Sequence, residues 1–133
     1  FRKEVQALDR WQMATRVHYS LDGNLLFAKR MYAEAIAEYQ KAIALAPHFA
    51  PAYNRLGVCY AILNDLDQAE KNFQRVIELS PEMDQGYLNL GLLYKAKGEN
   101  QKAINFLEEA LARNPENQKA REYLEKLKSS TDG

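Results

Sequence analysis

Apolar residues along this chain fall into short helical stripes that stop and restart at a fixed interval. In the middle of the sequence Tyr53, Leu56 and Tyr60 lie at i, i+3 and i+7, which is one face of a helix. The run Asn64-Asp65-Leu66-Asp67 then interrupts with turn and capping residues, and Asp67 reads as the N-cap of the next helix. A second stripe, Ala69, Phe73, Val76, Ile77 and Leu79, ends at Ser80-Pro81. Proline cannot continue a helix and pushes the residue before it out of helical space. The pattern predicts helix, short turn, helix, proline stop.

The same layout occurs three times. Gly23, Gly57 and Gly91 are thirty-four residues apart, as are Ala35, Ala69 and Ala103, and Pro47, Pro81 and Pro115. Tyr19, Tyr53 and Tyr87 keep that step, and so do Tyr39, Phe73 and Leu107. The copies are Arg16–Phe49, Ala50–Met83 and Asp84–Asn117; the third marks its inner turn with Gly98-Glu99-Asn100 and the first with Arg30-Met31. The fixed columns have a steric reading. Gly57 and Ala69 are small where the two antiparallel helices of one copy approach closely, and Tyr53, Tyr60 and Phe73 fill the space beside them. One helix pair cannot bury both its faces, so the copies stack.

The set Tyr53, Leu56, Gly57, Tyr60, Ala69, Phe73 and Pro81, echoed in the third copy, resembles the tetratricopeptide repeat (TPR). The first copy departs from it: Asp22 stands where the others have Leu56 and Leu90, and Leu26 replaces the second tyrosine. The resemblance implies an all-α fold, a right-handed α-α superhelix of three helix-turn-helix repeats whose first helices line a concave groove. Residues 118–128, "QKAREYLEKLK", read as a polar C-terminal capping helix, and 129–133 as a frayed tail. Residues 1–15 read either as half of a truncated earlier repeat or as a dedicated N-terminal helix, with Val5, Leu8 and Trp11 recurring every three residues and Trp11 packing.

Composition narrows the function classes. The 133 residues suffice for one core, and the formal net charge of zero gives no electrostatic reason to expect nucleic acid or an anionic membrane. One cysteine, Cys59, excludes an internal disulfide and reads as a packed thiol; His18 and His48 lack further ligands at metal spacing. The chain opens on Phe1, which reads as a fragment or processed form, so the missing signal peptide carries no information. No nucleophile sits beside a base, Gly57 and Gly91 lie inside helices rather than in a phosphate loop, and seven tyrosines occupy packing places. No catalytic site, cofactor or metal is expected.

The function then falls to the groove. If the first helices line it, the places between the packing stripes face a partner, and the expected site is Leu21, Asn24, Phe27, Asn54, Arg55, Val58, Ile62, Leu88, Asn89 and Leu92. So apolar a surface suggests a protein or peptide ligand, such as an amphipathic helix, rather than a small-molecule substrate. Chaperone-binding members of the family clamp a C-terminal carboxylate with lysines, asparagines and an arginine. Asn24 fits one of those places, but Ser20, Arg55, Gln85 and Asn89 stand at the others, so the resemblance does not extend to that clamp. Two alternatives stay open. One is a substrate-recruiting or regulatory arm of a larger enzyme, as in glycosyltransferases whose arms carry asparagines at the place of Asn89. The other is a self-associating module that fills its own groove through a second copy or through the N-terminal helix.

Overall fold

In the computed structural model, which describes residues 2–132, the chain forms seven helices and, among the described residues, no strand. They are α1 (Arg2–Ala28), α2 (Tyr32–Leu45), α3 (Ala50–Ile62), α4 (Leu66–Leu79), α5 (Gln85–Ala96), α6 (Asn100–Arg113) and α7 (Gln118–Asp132). α1 pairs with α2, α3 with α4 and α5 with α6, each second helix packs on the next first helix, and α7 closes the end against α6. The order matches the predicted array of helix pairs.

The glycine column has a sharper cause than close approach to alanine. A Cβ on Gly57 would run into the Phe73 ring, and one on Gly23 would lie 2.7 Å from the Tyr39 ring. In the third copy the obstacle is Leu107, 2.8 Å from a Cβ on Gly91. The large column therefore sits directly on bare helix backbone, flanked by Ala35, Ala69 and Ala103, all fully buried.

Each inner turn passes through one residue of positive φ, and these too are thirty-four apart: Arg30 (62°), Asn64 (65°) and Gly98 (80°). The next amide reaches back five residues, Met31 to the Leu26 carbonyl, Asp65 to Tyr60 and Glu99 to Tyr94, at 2.8–2.9 Å. This six-to-one bond closes a helix end around a left-handed residue. The N-cap of α4 is Asp65, which accepts from the Gln68 amide at 3.3 Å, and Asp67 lies in the first turn. The expected cap at Asp67 is thus two residues too late.

The outer turns are tied down through the prolines. Tyr53 Oη donates to the Pro47 carbonyl at 2.8 Å, and Tyr87 Oη donates to the Pro81 carbonyl at 3.1 Å. One period on, Arg121 of α7 donates to the Pro115 carbonyl in the same way. Arg113 reinforces the middle loop, stacking 3.8 Å from the Tyr87 ring centre and donating to the Pro81 carbonyl at 2.7 Å.

Leu56 and Cys59 bury against Ala35 and Tyr39 of the preceding pair, and Leu90 and Leu93 against Ala69 and Phe73. Tyr60 touches both clusters. At the front of the array no preceding pair exists among the described residues, and the place of Leu56 and Leu90 is taken by Asp22. Its carboxylate lies 3.2 Å from His18 Nε2 one turn back. The departure of the first copy from the pattern is a polar end face.

Both ends of the chain differ from expectation. α1 runs unbroken through Thr15-Arg16, so residues 2–15 form neither a separate helix nor the second helix of an earlier pair; they extend the first helix of the first copy. Nothing in "RKEVQALDRWQMATR" stops a helix, and side-chain bonds Arg10 to the Gln6 carbonyl and Thr15 to the Trp11 carbonyl keep the helical spacing. Every residue from Arg2 to Ala14 is exposed, and Trp11, expected to pack, is 62% exposed. At the other end α7 continues through Asp132, where a frayed tail was expected from residue 129; Gly133 lies outside the described residues.

Two measurements check this packing. Gly57→Ala gains helix propensity of about 1 kcal/mol but must displace the buried Phe73 ring, so a net loss of roughly 1–2 kcal/mol in urea unfolding is expected. Pairing it with Phe73→Leu should recover little of that loss, because in the third copy Leu107 crowds a Cβ on Gly91 to 2.8 Å. Cys59 is fully buried, and burial pushes its thiol from 9.0 up to about 11, against the opposing charge of Arg55. A raised thiol favours the folded state fully below its unfolded value and less as pH climbs through the folded one. Cys59→Ala should therefore flatten the fall in stability between pH 9 and about 11, and wild-type Cys59 should resist iodoacetamide at pH 8 until urea unfolds the chain.

Candidate functional site: the concave face

Stacking of the helix pairs brings the first helices side by side, and their outward residues form one face. Between α3 and α5 this face sinks into a cleft of about 350 Å³. Its lining from α3 is Val58, Ala61 and Ile62, and from α5 Asn89, Leu92, Leu93 and Ala96. Leu66 and Phe73 of α4 form the floor, and Lys119 of α7 stands at the rim. All but Asn89 and Lys119 are apolar. Four of the residues expected from the sequence, Val58, Ile62, Asn89 and Leu92, meet here.

Two smaller and more polar depressions lie toward the start of α3. One of about 270 Å³ includes Asn54, Arg55, Met83 and Gln85; the other, about 180 Å³, lies between α1 and α3 and includes Ser20, Asn24, Tyr39 and Arg55. The asparagines are not idle surface residues. Asn54, only 9% exposed, accepts a hydrogen bond from Asn89 Nδ2 at 2.5 Å, which ties α3 to α5 across the face. Asn24 Oδ1 accepts from Tyr39 Oη at 2.5 Å. Burial raises that phenol to about 12, so it remains a donor throughout the neutral range.

The remaining expected residues are placed differently. Leu21 is 61% exposed and lines none of these depressions. Phe27 is half-buried, edge-on to Tyr32 at 5.3 Å and covered by the Arg55 guanidinium at 5.0 Å, so it serves as packing under Arg55. Leu88 is half-buried and packs against the main core. The structure adds members that the repeat columns could not supply. Lys119 comes from the capping helix, and on that helix Tyr123 is flanked by Lys95 at 4.8 Å and Lys126 at 5.6 Å. Ser20, one of the places already compared with the clamp, lines the smaller depression with Asn24, and its Oγ is buried without a hydrogen-bond partner among the described residues.

Among the described residues no three His, Cys, Asp or Glu side chains converge, and no helix is long and apolar enough to cross a membrane. The most perturbed carboxyl, Glu70, is held low chiefly by the hydrogen bond it accepts from Tyr94 and also by Lys97. That cluster joins α4 to the end of α5 and serves packing.

Comparison with known proteins agrees with this architecture. No curated protein matches the chain by sequence. Among solved structures, the first TPR of Spaghetti (RPAP3) bound to the HSP90 peptide SRMEEVD superposes with a TM-score of 0.84 at 22% identity, covering 90% of this chain and 95% of that one. The Arabidopsis OM64 TPR domain gives 0.85 at 20% identity, over 90% and 98% of the two chains. The Sgt2 TPR domain from Aspergillus fumigatus gives 0.82 at 18% identity, over 88% and 79%. At these identities the likeness establishes the fold. The model described as tetratricopeptide repeat matches residues 50–83 and 85–117, and a second, described as TPR repeat, matches residues 23–61. The chain belongs to the tetratricopeptide repeat family and is a protein-interaction scaffold.

Proposed function

We propose that the scaffold holds its peptide or amphipathic-helix ligand on the concave face, with the cleft between α3 and α5 taking the main apolar anchor. The observation that carries this is the convergence of Val58, Ile62 and Leu92 around about 350 Å³ of open apolar space beside a hydrogen-bonded asparagine pair. That volume lies in the range of ligand sites, and a large exposed apolar surface on a folded chain marks a binding face. Anchors in the cleft supply affinity, and the free amide groups of Asn24 and Asn54 fix register against ligand carbonyls. The activity is recognition without catalysis.

The Spaghetti domain binds an HSP90 peptide. This chain carries Ser20, Arg55, Gln85 and Asn89 at the carboxylate-clamp places, so its ligand is of another kind. Val58→Asp and Leu92→Asp each place a carboxylate in the cleft. Partner capture should fall by more than tenfold for each, while the helical circular dichroism is retained. Capture unaffected by both would move the site elsewhere.

The exposed arm of α1 favours a second occupant of the same class, a neighbouring copy. Val5, Leu8 and Trp11 are 43%, 55% and 62% exposed on that arm. Light scattering of the whole chain and of a form lacking residues 1–15 is expected to show a concentration-dependent dimer only with the arm present. A monomer in both forms at all concentrations removes this occupant.

A further inference from the structure

Two cations at and near the apolar cleft meet no carboxylate among the described residues. Lys119 of α7 lines the cleft and makes no hydrogen bond or ion pair there. Arg55 of α3, one helical turn before the cleft residue Val58 and part of the two polar depressions, is exposed, stacked on Phe27 and engaged in no ion pair. Lys95 and Lys126 add two more ammonium groups around Tyr123, and Glu122, their neighbour in sequence, pairs with neither. The second helices are different. There Lys41 meets Glu38, Arg75 meets Glu78, Lys102 meets Glu99 and Arg113 meets Glu109. A chain of zero net charge thus holds its groove positive by pairing charges elsewhere.

We infer that the groove selects an internal segment in which an apolar anchor is flanked on both sides by acidic side chains. This rests on the reading that the cleft takes the anchor. Arg55 and Lys119 stand on different helices, α3 and α7, and only Lys119 lines the cleft itself. Two acidic side chains, one for each cation, match that arrangement. An ion pair formed at the edge of a covered apolar cleft loses less to solvent than one on open surface, which makes the flanking charges selective.

Panning the whole chain against a random dodecapeptide library, displayed at the N-terminus of a phage coat protein so that no free carboxyl terminus is offered, tests this. Enriched sequences should carry Leu, Ile, Phe or Met with Asp or Glu on both sides. Lys119→Glu and Arg55→Glu should each turn the selected charge on one side to Lys or Arg. For an enriched sequence made with an amidated end, replacing one Glu by Gln should weaken binding about fivefold, and less in high salt. Enrichment of neutral or basic sequences, or an unchanged charge preference in both variants, overturns the inference. If those sequences still fail on Val58→Asp, the cleft reading survives. A library that yields nothing, or binders indifferent to Val58→Asp and Leu92→Asp, overturns both.

Discussion

The whole array depends on one contact, a large side chain resting on a helix where a glycine leaves the backbone bare. Tyr39 over Gly23, Phe73 over Gly57 and Leu107 over Gly91 set how closely the two helices of each pair lie. That spacing in turn decides what the outer face can do. With its ring fixed on Gly23, the Tyr39 hydroxyl reaches Asn24 and holds the asparagine side chain in place. Leu56 and Leu90 enter the preceding pair at a depth set the same way, so core and groove share one geometric origin.

Repetition made most of this legible from letters alone. A steric demand that recurs three times leaves the same residue in the same column, which is why the helix pairs, proline stops and family could be read from the sequence. What escaped it arises where no column exists. The cap of α4 is a choice between Asp65 and Asp67 that only the backbone resolves. No repeat constrains residues 2–15, and the frame of the later copies suggested a boundary that the helix ignores. Within the groove, periodicity gave the direction of Phe27 and Leu88 but not the neighbours that cover them. The Asn54–Asn89 bond joins residues of different copies, and Lys119 belongs to a helix outside the pattern.

Charge is distributed by layer. The second helices carry their ions as local pairs three or four residues apart, contributions of a few tenths of a kilocalorie that mainly keep the outer surface solvated and neutral. On the first helices and α7 the charges divide: His18 meets Asp22 and Lys128 meets Glu108, whereas Arg55 and Lys119 make no ion pair among the described residues. Such a division costs the fold little, since exposed cations are well hydrated, and it leaves a positive face without a positive protein.

The unbroken α1 gives the molecule a mechanical property. Its 27 residues make a rod of roughly 40 Å, twice the length of α3, and no glycine or proline precedes Gly23 to soften it. The half beyond the array is therefore a stiff lever whose bearing is fixed by the half that packs on α2. A load placed on Arg2 or Lys3 is transmitted as torque to the first helix pair rather than absorbed by a hinge, so anything held by that arm keeps a constant orientation to the groove.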